Sequence, residues 1–248
     1  MQNNSKMIDK KDACGQEVWA YFNGKESYEV VEREDGFIGL SSGANAYFAE
    51  FKDWPKQQKR GIKFAKGRVL DVGTGAGRVA IYLQKIGHKV TAIDKSPLAI
   101  KVCEKRGIKD ARVLPIEKIV GFKPKTFDSI VMFGNNFGLF GNPKKAKSLL
   151  KRFHQITTPD ALIIAESNDP YKTDDPIHLS YHKFNRNCGR MAGQLKIRIR
   201  FRNYIGNWFD YLLVSKEEMK DILKGTGWKV RKFVDSEKFM YIAIIKKE

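Results

Sequence analysis

The chain has 248 residues, enough for one large domain or for a domain with an insertion, and 42% of them are apolar, which permits a sizeable core. The formal net charge is +18. No apolar run reaches the about 18 residues of a membrane span, and the amino-terminal residues lack the apolar core of a signal peptide. Three cysteines, far apart and in no CxxC pair, indicate neither a disulfide framework nor a zinc site, so we expect a cytoplasmic protein.

Short helices and loops are predicted for residues 1–65, which we expect to form a helical amino-terminal cap. From residue 66 onward, apolar runs alternate with amphipathic stretches. Strands are predicted for the apolar runs at 68–73, 88–94, 111–115, 127–134 and 160–167. Helices are predicted for the amphipathic stretches at 77–87, 96–107 and 142–157. This alternation indicates one α/β domain over 66–248, with a parallel sheet and helices on both faces.

The alternation stops after Ser167 and resumes with a helix that begins at a capping box of Ser215 and Glu218. Two final strands close the chain. Within 168–214, the stretch QLKIRIRFRNY alternates apolar and basic residues, which is typical of a strand with one solvated face, and NWFDYLLVS is its predicted antiparallel partner. Ligands of open α/β sheets bind outside the carboxyl ends of the strands. We therefore expect 168–214 to be an antiparallel insertion that extends over the active site.

The charges are distributed unevenly along the chain. Residues 176–209 carry seven Lys or Arg and no Asp or Glu, whereas residues 1–35 carry five Lys or Arg and eight Asp or Glu. A basic surface attracts anionic partners, so the bias of 176–209 favours an anionic ligand. A lysine-rich, solvated surface is the alternative explanation.

A glycine-rich turn follows the first predicted strand. Its glycines, Gly73, Gly75 and Gly77, form GxGxG, whereas a dinucleotide fingerprint is GxGxxG, and Arg78 occupies the position of the third glycine. Asp71 lies two residues before the turn, where an acid would face two phosphates at unfavourably short range. The pattern therefore favours a ligand with an ammonium group.

The segments VLDVGTGAG and VTAIDKSP resemble the first two motifs of class I S-adenosylmethionine-dependent methyltransferases. The resemblance covers roughly residues 65–170 and resumes at 215–248, where a helix and two strands match the family's closing hairpin. It implies a Rossmann-like fold with a mostly parallel seven-stranded sheet whose final strand is antiparallel. The predicted insertion then lies between strand five and the last helix. It also implies a methyltransferase that uses S-adenosyl-L-methionine.

The resemblance further implies a set of cofactor-binding residues. The acid before the turn lies near the methionine amino group, and the acid that ends the second strand, Asp94, accepts from the ribose hydroxyls. Pro115 occupies the position at which the family usually has an adenine-binding acid. The adenine amino group is therefore expected to meet either the backbone of Ile116 or the side chain of Glu117. The predicted cofactor-binding residues are Asp71, Gly73, Thr74, Gly75, Gly77, Asp94, Lys95, Ile116, Glu117, Phe133 and Gly134.

The acceptor is less well specified. The loop after the fourth strand places Asn135 and Asn136 on the acceptor side, and the base candidates, if a base is needed, are His178, Tyr181 and His182. No metal-ligand cluster is predicted. We expect a small-molecule acceptor, with an anionic one favoured by the basic insertion. RNA or protein methylation is the alternative, as is a cofactor-binding homologue without activity. Nucleic acid is not the favoured partner, no membrane partner is expected, and the oligomeric state stays open.

Overall fold

The computed structural model describes residues 9–248. Over this range the strands, in chain order, are β1 (Val30–Arg33), β2 (Ile38–Leu40), β3 (Arg68–Val72), β4 (Lys89–Asp94), β5 (Ala111–Val113), β6 (Phe127–Met132), β7 (Thr157–Asn168), β8 (Gln194–Phe201), β9 (Tyr204–Ile205), β10 (Phe209–Leu212), β11 (Trp228–Asp235) and β12 (Met240–Lys247). The α-helices are α1 (Ala13–Phe22), α2 (Gly43–Phe48), α3 (Lys56–Gly61), α4 (Arg78–Lys85), α5 (Pro97–Lys105), α6 (Pro143–Ile156), α7 (Pro176–Asn187) and α8 (Lys216–Leu223). No helix within residues 9–248 is long and apolar enough to span a membrane.

Seven strands form the central sheet, in the order β11-β12-β7-β6-β3-β4-β5. The pairs β3–β4, β3–β6, β4–β5 and β6–β7 are parallel, and β12 is antiparallel to both β7 and β11. This order and this closing hairpin confirm the predicted α/β class. Because the central parallel strands end at one edge, the loops that follow β3, β4 and β6 meet there.

Helices bury both faces of the central sheet. On one face, α6 and α8 contribute Phe153 and Leu223 to a core that contains Leu70 of β3. On the other face, α4 contributes Leu83 to a core that contains Val69, the neighbour of Leu70 in β3. Successive residues of β3 thus point into opposite cores, which explains why its sequence is a continuous apolar run.

The insertion forms a second sheet, but not alone. Its strand β8 pairs antiparallel with β10 and β9 on one side and with β1 on the other, giving the order β10-β8-β1-β2. The insertion also contains α7, which the sequence did not predict. The amino-terminal cap is therefore not helical throughout, since β1 and β2 complete the insertion's sheet. Residues 1–8 of the predicted cap lie outside the described residues, and the domain boundaries stay a prediction.

Charge pairing explains why β1 lies beside β8. Glu32 of β1 is the cross-strand partner of Arg198, and its carboxylate accepts from the Arg198 guanidinium at 2.8 and 2.7 Å and from Arg200 at 3.2 Å. Arg190, before β8, likewise pairs with Glu34. Two segments of opposite charge bias thus meet, and opposite charges across neighbouring strands stabilise the pairing. Strand β8 thus has a paired strand on each edge, and the acids of the amino-terminal segment hold β1 on one of them.

Helix α1 links the amino-terminal segment to the central sheet. Asp12 caps α1 by accepting from the Gly15 N–H at 3.0 Å. Its other carboxylate oxygen accepts from the hydroxyl of Ser96 at 2.7 Å, and Ser96 in turn caps α5. This shared cap joins the starts of α1 and α5, so α1 lies beside the carboxyl end of β4.

Candidate functional site

The glycine turn between β3 and α4 adopts a conformation that requires glycine. Gly73, Gly75 and Gly77 have φ angles of +69°, +55° and +81°. A Cβ on Gly77 would lie 2.2 Å from Cδ1 of Ile108, and one on Gly73 would lie 2.6 Å from Nδ2 of Asn136. Close packing and positive φ both exclude larger residues here. The Gly73 and Thr74 N–H groups donate to the Ile93 carbonyl at 2.9 and 3.0 Å, so the turn is fixed against the end of β4.

Asp94, at the end of β4, lies against this turn. One carboxylate oxygen accepts from the Gly75 N–H at 3.0 Å and the other from the Ser96 N–H at 2.9 Å. Burial raises the pKa of Asp94, and these two backbone donors partly offset the shift. The two predicted motifs, 19 residues apart from Gly75 to Asp94, are thus brought into direct contact.

Asp71 is buried directly beneath the turn, with only 2% of its surface exposed. Its carboxylate accepts from the Thr74 hydroxyl at 2.6 Å. Burial raises its pKa to about 6, against the opposing effects of the Thr74 hydrogen bond and the nearby Arg78 charge. Asp71 therefore braces the turn through Thr74 and places negative charge under it.

Arg78 is a site residue that the sequence analysis treated only as a missing glycine. Its guanidinium carbon lies 4.7 Å from the centroid of the Trp54 ring, a cation–π contact with the segment before α3. Burial lowers the pKa of Arg78, and the charges of Glu166 and Asp71 oppose that effect. The signal was available, because Arg78 directly follows the last glycine of the turn and begins α4.

The three residues predicted to lie near the adenine, Ile116, Glu117 and Lys95, have different surroundings. Ile116 is 8% exposed and starts a short 3-10 helix, Ile116–Gly121. The carboxylate of its neighbour Glu117 is bound at 2.5 Å by the ammonium of Lys145 on α6. Lys95 is exposed, with its ammonium 4.5 Å from the centroid of the Phe209 ring on β10. Of the two adenine alternatives, the Ile116 backbone is the one left by this pairing, although both stay predictions.

The loop after β6 is held by a buried acid that the sequence analysis missed. Glu166 of β7 is fully buried and accepts from the N–H of Gly134 at 2.7 Å and of Asn135 at 3.3 Å. The Gln58 amide of α3 donates to its two oxygens at 2.9 and 2.7 Å. An acid inside the apolar run of β7 was the available signal, because a buried carboxylate must find several donors.

The two asparagines of this loop have different surroundings. The Asn136 amide donates to the carbonyls of Val72 and Gly73, both at 2.9 Å, so it supports the glycine turn. Asn135 accepts through its side chain from the Asn168 N–H at 2.9 Å, and its carbonyl accepts from the Tyr211 hydroxyl at 2.7 Å. Both side chains hold neighbouring loops together; an acceptor-side role for them stays a prediction.

The three base candidates lie on α7, away from the glycine turn. The Tyr181 hydroxyl donates to Glu34 at 3.0 Å, and burial raises its pKa to about 12. His178 contacts the Arg33 guanidinium at 3.1 Å, and the His182 ring lies 6.0 Å from that of Tyr171. Burial and nearby cations lower the pKa of His182. His178 and Tyr181 thus join α7 to the end of β1, His182 lies beside Tyr171, and a base role for the three residues stays a prediction.

The amino-terminal segment adds a buried acidic group that the sequence analysis also missed. Glu17 of α1 is fully buried, and one of its oxygens accepts from the Ala44 N–H of α2 at 2.8 Å. Glu29 is 4% exposed, and its oxygens accept from the Tyr47 hydroxyl at 3.2 and 3.1 Å. Burial raises the pKa of both acids, that of Glu17 to about 7. A Cβ on Gly75 would lie 3.8 Å from the Tyr47 ring, so this group borders the glycine turn.

The described part of the chain holds no group of three or more His, Cys, Asp or Glu residues arranged to bind a metal ion. The polar groups at this edge are instead carboxylates, amides and backbone N–H groups around the turn. Such a set suits an organic ligand with hydroxyl and amino donors.

Comparisons with known proteins agree with this geometry. Residues 70–165 match a family model described as a methyltransferase domain. A protein from Geobacillus sp. (strain WCH70), named only as a candidate methyltransferase, is 26% identical over 126 residues, which are 48% of this chain and 49% of that protein. The ubiquinone biosynthesis O-methyltransferase of Xylella fastidiosa (strain 9a5c) is 38% identical over 74 residues, 28% of this chain and 30% of that enzyme. The chain thus matches about half or less of the length of these curated relatives.

The fold extends beyond those matches. A S-adenosylmethionine-dependent methyltransferase from Bacteroides fragilis, crystallised with S-adenosyl-L-homocysteine, superposes with a TM-score of 0.81. The superposition covers 97% of this chain and 96% of that one at 24% identity, which is a likeness of fold. The amino-terminal segment and the insertion therefore belong to an architecture that a solved protein shares.

Proposed function

We propose that the chain is a class I S-adenosylmethionine-dependent methyltransferase, as its sequence predicts, and that it transfers the methyl group of S-adenosyl-L-methionine to a small molecule. One observation carries the proposal. The glycine turn after β3 and the carboxylate that ends the neighbouring parallel strand are in contact, through the Gly75 N–H and Asp94. This is where a class I enzyme holds the two halves of its nucleoside cofactor.

Each half has chemically suitable partners. Each Asp94 oxygen accepts one backbone N–H, which leaves a lone pair on each for a ribose hydroxyl. Asp71 supplies negative charge for the methionine amino group. Arg78 and the N–H groups at the start of α4 supply positive charge for the methionine carboxylate. Thr74, Gly73 and Gly77 shape the turn, and a cofactor contact of Phe133 and Gly134, which directly follow β6, stays a prediction.

The bound cofactor supplies an activated methyl carbon, so the chain's own residues need only position the acceptor and exclude water. The buried surroundings of Glu166 at the carboxyl edge suit that task. A base is required only if the acceptor must lose a proton. Tyr181 is hydrogen-bonded to Glu34 and His178 contacts Arg33, so these contacts do not support a role as the base.

Covering elements at the carboxyl edge favour a small acceptor over RNA or protein. Helix α2 borders the turn through Tyr47, α1 contributes Val18 to a buried cluster with Ala76 of the turn, and β10 contacts the loop after β6 through Tyr211. The basic residues of the insertion favoured an anionic acceptor. Two of them, Arg198 and Arg200, are paired with Glu32. Arg190 is paired with Glu34, so three of the seven basic residues in 176–209 have acidic partners within the described residues, which weakens the case for an anionic acceptor.

The test combines binding and turnover. Isothermal titration calorimetry with S-adenosyl-L-homocysteine should give saturable binding at one site. Radiolabelled S-adenosyl-L-methionine, incubated with fractionated host extract, should label the small-molecule fraction. Label confined to RNA or protein would show that the acceptor is a macromolecule and not a small molecule. Binding without transfer to any fraction would favour an inactive homologue, and absence of binding would refute the proposal.

A further inference from the structure

Glu17 and Glu29 form a buried acidic pair beside the glycine turn. Their exposed fractions are 0% and 4%. Among the described residues, no Lys or Arg forms an ion pair with either carboxylate, although Glu32 and Glu34, which are more exposed, have arginine partners. The second oxygen of Glu17 has no hydrogen-bond partner within that same range. This is the reverse of the usual arrangement, in which buried acids are paired and exposed acids are not.

Tyr47 locates the pair beside the glycine turn. Tyr47 joins Glu29 through its hydroxyl and lies against Gly75 with its ring. The charge of Glu29 contributes to raising the pKa of Tyr211, the residue that binds the Asn135 carbonyl from β10. Because Glu29 directly precedes β1, which pairs with β8, the pair lies between the glycine turn and the insertion's sheet.

The energetics of the pair call for a positive ligand group. Ser41 and Tyr47 donate neutral hydrogen bonds to Glu29, and the Ala44 N–H and Ser27 hydroxyl donate to Glu17. Neutral donors compensate a buried carboxylate only in part, and an unsatisfied buried oxygen is costly. A bound ammonium would supply both the charge and the missing donor, because it carries three N–H groups.

We propose that Glu17 and Glu29 form the subsite for a positively charged nitrogen group on the small-molecule acceptor, with Tyr47 holding Glu29 in place. The acceptor is thus a small organic amine or amidine, not an acid. This inference rests on the proposed methyl transfer and specifies its substrate class. It also separates the acceptor subsite from Asp71 and Asp94, which serve the cofactor.

Matched pairs of small molecules test the charge preference. Tyramine with 4-hydroxyphenylacetate, and tryptamine with indole-3-acetate, differ in carrying an amine or a carboxylate on the same ring. We expect the amines to bind the full chain at least about tenfold more tightly than their partners, measured by calorimetry. Glu29→Gln and Glu17→Gln should each remove most of that preference. The control is Glu104→Gln, which removes an exposed carboxylate on α5 and should leave the preference unchanged.

The outcomes separate the possible failures. Equal binding of amines and carboxylates, including no binding of either, would overturn the amine subsite. A preference that survives both cluster variants would also overturn it. If the variants weaken S-adenosyl-L-methionine more than S-adenosyl-L-homocysteine without affecting the amines, the pair serves the cofactor's sulfonium instead. The titrations are run with and without S-adenosyl-L-homocysteine, so loss of cofactor binding would refute the methyltransferase proposal and leave the amine result standing. If a variant fails to fold, the affinities of the wild-type chain for the amines and for the matching carboxylates still test the amine subsite.

Discussion

Replacing Asp94 with alanine is expected to weaken the binding of S-adenosyl-L-homocysteine by about 10- to 100-fold. The two carboxylate oxygens already accept backbone N–H groups at 3.0 and 2.9 Å, and each keeps a free lone pair. Hydrogen bonds to a charged group contribute about 1.5–3 kcal/mol. At about 1.4 kcal/mol per decade of affinity, loss of the ribose contacts gives that range.

The assay must separate loss of contacts from loss of fold, and Asp94→Asn does so. Because burial raises the pKa of Asp94 above its unfolded value, its contribution to stability falls as the pH rises through that interval. At pH 7.5 the neutral amide therefore avoids the cost of burying a charge. The single carbonyl oxygen of Asp94→Asn can keep only one of the two backbone N–H bonds, so we expect it to lose cofactor affinity in calorimetry and to keep a higher free energy of unfolding in urea than Asp94→Ala.

Asp160→Asn, an exposed change on β7, is the control and should bind as the wild type does. A Kd for Asp94→Ala within twofold of the wild-type value would show that this carboxylate does not hold the ribose.

Three further changes test separate parts of the site. Gly77→Ala should lower the free energy of unfolding by about 1–3 kcal/mol in urea titration, because φ is +81° and the new Cβ would meet Ile108; an unchanged midpoint would contradict the turn's geometry. Glu117→Gln should leave the affinity for S-adenosyl-L-homocysteine within about twofold in calorimetry, since Lys145 holds that carboxylate; a tenfold loss would return Glu117 to the adenine site. Glu17, with a pKa raised to about 7, should make the wild-type melting temperature fall as the pH rises from 5 to 8, and Glu17→Gln should reduce that fall; equal slopes would argue against its burial as an acid.

The parts of the site that the sequence predicted are those encoded by short-range patterns. The glycine turn and Asp94 end neighbouring parallel strands, so a strand–helix–strand pattern was enough to bring them together. Glu117 shows the limit of this reasoning, because its spacing allowed an adenine contact and only the position of α6 shows that Lys145 binds it.

The missed residues depend on contacts between distant parts of the chain. Glu166 meets Gln58 across 108 residues, and β1 meets β8 across about 165, as the Glu32–Arg198 pair shows. No local pattern encodes such pairings. The charge bias of the insertion was noted correctly, but its partners lay in an amino-terminal segment expected to be helical. Charge complementarity between the two segments was the signal that could have predicted their pairing.

The shared sheet of β1, β2, β8 and β10 has a consequence for engineering. Grafting the insertion from a homologue with a different acceptor would place a foreign β8 beside β1. Glu32 of β1 would then lack its arginine partner unless the graft carries one at position 198. Such a chimera should misfold or aggregate unless residues 30–40 are transplanted with it. Evolution of a new acceptor preference in this architecture would then require both segments to change in concert.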